Sequence, residues 1–103
     1  MNISELQNRA IAIREAYDEI NLQDGYKWDA LQTAQAFVGD VGDLQKLAMA
    51  KAGLRKIDDL DAKIRHELSD CLWSILVLSD MYGIDLEAEF VKTMNELEER
   101  ISK

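Results

Sequence analysis

The chain has 103 residues, a formal net charge of -8 and a sequence pI near 4.5. That length suits one domain with a modest core, which association would enlarge. The negative charge excludes a nucleic-acid polymer or an anionic membrane as the main partner, because both would be repelled, and it requires cations as intermediaries for any phosphate chemistry. The lone cysteine, Cys71, lies in an apolar run and has no internal partner, which fits a reducing compartment. No basic, apolar leader opens the chain and no apolar run is long enough to span a bilayer, so the expectation is a soluble, cytoplasmic protein.

Proline is absent, and Gly25, Gly53 and Gly83 fall where helical periodicity stops, which divides the chain into four helices. The first is expected from about Ser4 to about Leu22, opened by a Ser4 to Gln7 capping box and striped by Leu6, Ala10, Ile13, Tyr17 and Ile20. A turn at Gln23 to Lys27 follows, and Asp29 with Gln32 repeats the capping box. The second helix runs from about Ala30 to about Ala52 with a broad apolar face. After Gly53 comes a polar connection, and Asp58, Asp59 and Asp61 suit the N-terminus of a third helix, about Ala62 to Tyr82. Its segment Cys71 to Leu78 is apolar nearly all round, which predicts burial on several sides and self-association as a homodimer or homotetramer. A fourth helix begins after Gly83-Ile84-Asp85, with Leu86, Phe90, Met94, Leu97 and Ile101 as its core stripe. The fold class is therefore an all-α, four-helix bundle over residues 1–103.

Two i, i+3 acidic pairs stand out, each with its carboxylates on one helix face: Asp40 with Asp43, and Glu67 with Asp70. The first pair borders packed side chains, a poor place for charge unless something compensates it. It is interleaved with Gly39 and Gly42, each costing roughly 1 kcal/mol against alanine inside a helix. Four carboxylates from two facing helices would form a negative pocket that Mg²⁺ or Mn²⁺ neutralises, and such ions could bridge to phosphate. Against this stands the common occurrence of solvated acids at such spacing. A di-iron carboxylate bundle would need two Glu-x-x-His pairs, and the chain has one histidine.

Val38-Gly39-Asp40-Val41-Gly42-Asp43-Leu44, His66-Glu67-Leu68-Ser69-Asp70-Cys71-Leu72-Trp73 and Tyr82-Gly83-Ile84-Asp85-Leu86-Glu87 together resemble the MazG-like all-α nucleoside triphosphate pyrophosphohydrolases, over roughly residues 28 to 101. The resemblance implies Mg²⁺-dependent hydrolysis of nucleoside triphosphates to monophosphate and pyrophosphate, with Asp40, Asp43, Glu67 and Asp70 as metal ligands and catalytic residues. It also sets Lys92 and Asn95 beside that family's Lys and Asn positions. Gly39 stands where the family's motif has its first glutamate, and aspartates replace the other two. An aspartate reaches about 1.5 Å less, so a metal would sit nearer the helix, and Gly39 and Gly42 would permit that approach.

Trp28 and Tyr26 are candidates for stacking on a base, with capping of the core as the alternative. Trp73 reads as core or interface. His66 is a candidate for contact with phosphate or a bound water, and otherwise a structural hydrogen-bonder. Lys51, Arg55, Lys56, Lys63, Lys92 and Arg100 are candidate phosphate contacts or solvated charges. The competing readings are a helical interaction or regulatory module with a degenerate site, and a nucleotide sensor without turnover.

Overall fold

The computed structural model describes residues 1–25 and 28–102; the Tyr26 reading lies outside them. Four helices follow one another: α1 (Ile3–Gln23), α2 (Ala30–Lys51), α3 (Leu60–Met81) and α4 (Leu86–Ile101), with no strand among the described residues.

Local chemistry fixes their ends. The capping box of α1 is built by Asn2 and Glu5 rather than Ser4 and Gln7. The Asn2 side chain accepts from the Glu5 N–H at 2.8 Å, while Glu5 accepts from the Asn2 N–H at 3.4 Å. Asn caps as well as Ser, and the Ser4 hydroxyl is left to bond Glu87 at 3.3 Å, tying the start of α4 to the start of α1. At α2 the Asp29 and Gln32 box forms as the spacing predicts. Helix α3 opens at Leu60, behind Asp59, whose φ of 55° is left-handed and whose side chain makes no cap bond. Asp61 in its first turn suits the helix dipole and bonds Lys51 at 2.8 Å, joining the end of α2 to the start of α3. Asp85 caps α4 through the Ala88 N–H.

Helices α2 and α3 end alike. Gly53 and Gly83, at φ 86° and 67°, let the chain turn so that Leu54 N–H reaches the Met49 carbonyl (2.9 Å) and Ile84 N–H reaches that of Ser79 (2.8 Å). Both are Schellman closures, which need the left-handed conformation that glycine adopts without penalty.

Helix α3 is central. It packs against α2 on one side and α1 on another, while α4 meets α1 more lightly. The core is small: Ala10, Leu76 and Val77, flanked by Ile3, Leu6, Trp73, Met81 and Leu86. Burial of the Cys71 to Leu78 segment is accordingly incomplete. Cys71, Ser74, Leu76 and Val77 are buried, but Leu72 and Ile75 are exposed. The expected core stripe of α4 is also incomplete within one chain: no α4 residue is buried, and Phe90, Leu97 and Ile101 are exposed. Only the start of that helix is tied to α1, by Glu87. The stripe of α1 likewise ends at its midpoint, beyond which Ile13, Tyr17 and Ile20 are exposed. No helix among the described residues is long and apolar enough to cross a membrane.

Candidate metal centre

Where α2 lies against α3, three carboxylates converge. Asp40, Asp43 and Glu67 each offer an oxygen, and the three oxygens lie within 4.8 Å of one another. The i, i+3 spacing stacks Asp40 over Asp43, and the α2·α3 packing brings Glu67 across to them. Glu67 Oε1 is buried and has no hydrogen-bond partner. An orphan acceptor of this kind carries its desolvation cost uncompensated.

The electrostatics agree with the geometry. Burial, then the neighbouring charges of Asp40, Asp43 and Asp70, pushes the Glu67 carboxyl above the usual carboxylate range. Asp40 is raised for the same reasons, burial first, then Asp70 and Asp43. Burial and the nearby acids also push the Cys71 thiol up, which leaves it a small, unreactive core group. The raised carboxyls and the unpartnered oxygen mark a concentration of negative charge that a cation could offset. Three hard oxygen donors match Mg²⁺ or Mn²⁺ rather than a softer metal.

Asp70 stands outside this set of three. Its Oδ2 lies 3.1 Å from His66 Nε2, one turn back on the same helix, yet its charge is close enough to raise Asp40. His66 itself, largely exposed, shares an open hollow with Asp43, Lys46, Lys63 and Glu67. Lys63 therefore reaches the neighbourhood of the acids. Lys51 is engaged by Asp61. Lys92 and Asn95 line a different hollow, formed by α4 alone with Asp85, which includes none of the acids on α2 and α3.

Asp40 also lines an open-sided cavity of about 250 Å³ between α1, the first half of α2 and α3. Trp28 and Trp73 both face this cavity, with Arg14, Tyr17 and Asn21 contributed by α1. The buried indole N–H of Trp73 has no acceptor. Arg14 lies between two carboxylates, 3.3 Å from Asp18 and 3.6 Å from Asp80. The contribution of α1 escaped the sequence reading, which treated that helix as core alone. Its signal was present: Arg14, Asp18 and Asn21 recur at i, i+4 and i+7, a polar stripe beside the apolar one.

The glycines have no intrachain packing role. A Cβ at Gly39 or Gly42 would meet nothing within 4 Å. No protein-family model matches the chain, and neither does any curated protein or solved structure.

Proposed function

We propose that this chain is a Mg²⁺-dependent nucleoside triphosphate pyrophosphohydrolase of the MazG-like type, releasing monophosphate and pyrophosphate. The supporting observation is the junction at Asp40, where three converging carboxylates adjoin an aromatic-lined cavity. The cavity is below the roughly 300–1,000 Å³ that encloses whole ligands. It is therefore suited to a planar base, and the phosphates would lie outside it, toward the acids.

On this reading Trp28 and Trp73 offer aromatic faces to the base, and the free Trp73 N–H can donate to a ring acceptor. Asp40, Asp43 and Glu67 would hold the cation, and Asp70 adds charge beside them. Lys46 and Lys63, in the hollow shared with Asp43 and Glu67, are placed to offset phosphate charge. When bound, Mg²⁺ supplies charge withdrawal from phosphorus and stabilises the pyrophosphate that leaves. Water attacks the α-phosphorus, its oxygen forms the new P–O bond, the bond to the bridging α,β-oxygen breaks to release pyrophosphate, and the proton that the water loses passes to solvent. We also infer self-association, because the apolar segment of α3 is left partly uncovered by its own chain.

The test is incubation with Mg²⁺ and a panel of canonical and modified ribo- and deoxyribonucleoside triphosphates, resolving mono-, di- and pyrophosphate. Monophosphate plus pyrophosphate, lost in Glu67→Gln and Asp40→Asn, is expected. No turnover with Mg²⁺ binding intact would replace hydrolysis by nucleotide sensing, and no turnover without Mg²⁺ binding would leave an interaction module.

A further inference from the structure

The cavity beside Asp40 has a balance of charge that stacking of a neutral base leaves unused. Its wall carries three aromatic side chains: Tyr17 on α1, Trp28 just before α2, and Trp73 on α3. Among the described residues Arg14 is the single cation lining it. That guanidinium lies between two carboxylates, Asp18 at 3.3 Å and Asp80 at 3.6 Å, and it can balance only one of them. Asp40 brings a third carboxylate to the wall. The side chains of Arg14 and Asp18 are only 22% and 17% exposed, so water and salt screen them less than surface charges.

Aromatic faces attract a cation lying over them, more strongly as the cation loses water, and cages of such faces hold organic cations. Unbalanced carboxylates in the same wall add to that attraction. We propose that the cavity selects a nucleobase bearing a fixed positive charge, the class produced by alkylation of a ring nitrogen, over its neutral parent. The proposal rests on the placement of a base in this cavity and names the class of base.

The polar groups of the wall suit the edge of such a base. The Trp73 indole N–H is buried without an acceptor, and Arg14 Nε, although close to Asp18, makes no hydrogen bond. Carbonyl oxygens and unalkylated ring nitrogens accept from these two donors. Asp18, one turn along α1 from Arg14, accepts from the N–H groups of the base, which a positive ring makes stronger donors. Shape also favours a flat cation. A compact ammonium is strongly hydrated, whereas an alkylated base spreads its charge over its rings, as a guanidinium does, and gives up less hydration on entry.

The chain has two tryptophans and both line the cavity, so its intrinsic fluorescence reports on this site. The experiment titrates the full chain, without Mg²⁺ and at mildly acidic pH, with matched nucleosides: 7-methylguanosine against guanosine, and 1-methyladenosine against adenosine. O6-methylguanosine, which has the methyl group without the charge, controls for added surface. Each methylated cation should bind about tenfold more tightly than its parent, and O6-methylguanosine no more tightly than guanosine. Asp18→Asn and Trp28→Leu should each reduce that preference several-fold, with helicity by circular dichroism retained; should either lose helicity, the wild-type comparison decides alone. Equal affinity within the pairs, a gain in one pair only, or an equal gain for O6-methylguanosine would overturn the selection of charge. An undiminished preference in both folded variants would overturn its assignment to this cavity. Turnover separates the proposal from the hydrolase reading. Hydrolysis of triphosphates without the nucleoside preference would remove this proposal alone, and the preference without hydrolysis would keep the cavity's selectivity and remove the hydrolase.

Discussion

Replacing Glu67 by glutamine should stabilise the metal-free protein and abolish its response to Mg²⁺. The change keeps shape and removes one charge. In the wild type that charge sits no more than 4.8 Å from the nearest oxygens of Asp40 and Asp43. At that separation each like-charge pair repels by about 0.9 kcal/mol at the dielectric of water and about 3.5 kcal/mol at an effective value of 20. Asp43 is exposed and the site opens to solvent, so the lower figure governs. Two neighbours then give about 1–2 kcal/mol. Glutamine still buries an acceptor without a partner, but a neutral amide oxygen loses less on desolvation than a carboxylate. The expected gain is about 1 kcal/mol at pH 7, which for a chain this size raises Tm by roughly 4–8 °C. With Mg²⁺ at a hundredfold excess over its Kd, wild type should gain about 2.7 kcal/mol and the variant almost nothing. Differential scanning calorimetry with and without Mg²⁺ measures both. A variant less stable than wild type without metal, or equally stabilised by Mg²⁺, would refute the convergence of charge on which the site depends.

Folded-state carboxyls raised above their unfolded values make the native protein the better proton binder, so stability falls as pH rises from the ordinary carboxylate range through the raised values of Asp40 and Glu67, then levels off. Asp61, lowered by its hydrogen bond to Lys51, acts in the opposite sense, and the difference between wild type and Glu67→Gln in urea melts from pH 4 to 8 isolates the Glu67 contribution. Gly39→Ala should add about 0.5–1 kcal/mol of helix stability, because the new Cβ meets nothing, yet weaken Mg²⁺ binding measured by calorimetric titration; unchanged affinity would remove the glycine from the metal's approach. Trp28→Ala should lose about 1–3 kcal/mol of base stacking, seen as a rise in KM of roughly fivefold to 150-fold with kcat less affected. Asp85→Ala should cost about 1 kcal/mol through the lost cap of α4, measured by thermal melts, and leave Mg²⁺ affinity unchanged.

The helices were legible because their signals are local. Glycines at 53 and 83 mark the ends of α2 and α3, and Asp29 with Gln32 marks the start of α2, each through a backbone bond closed within a few residues. Asn2 displaced Ser4 at the first cap because several neighbouring residues can cap and only tertiary context decides; Ser4 was drawn to Glu87, 83 residues away. Periodicity also located the acids on their helix faces, but it could not say which would meet. That depends on the rotation of α3 against α2, which gathers Glu67 with Asp40 and Asp43 while Asp70 turns toward His66. The cavity was illegible for the same reason, since its wall combines α1 with the faces of two other helices. What sequence pattern overstated was burial. Apolar stripes on α1, α2 and α4 show which surfaces avoid water, and the single chain covers only part of them.

The acids and the uncovered stripes occupy the same two helices, one residue apart: Val41 follows Asp40, and Leu68 follows Glu67. Repulsion among the three carboxylates pushes α2 away from α3, while the buried Leu47, Cys71 and Ser74 near that junction are a thin layer of packing to resist it. A partner seated across the far side would hold the pair together from behind without touching the acids, and a cation would remove the repulsion from the front. Both stabilise the same approach of α2 to α3, so the two should be coupled: the dimer should bind Mg²⁺ more tightly than a chain kept single by Val38→Lys and Leu72→Lys, and Mg²⁺ should tighten the dimer by that factor for each of its two sites. Equal Mg²⁺ affinity in the two forms would mean that the pair is rigid without help, and that the apolar face and the acidic site share helices without sharing energy.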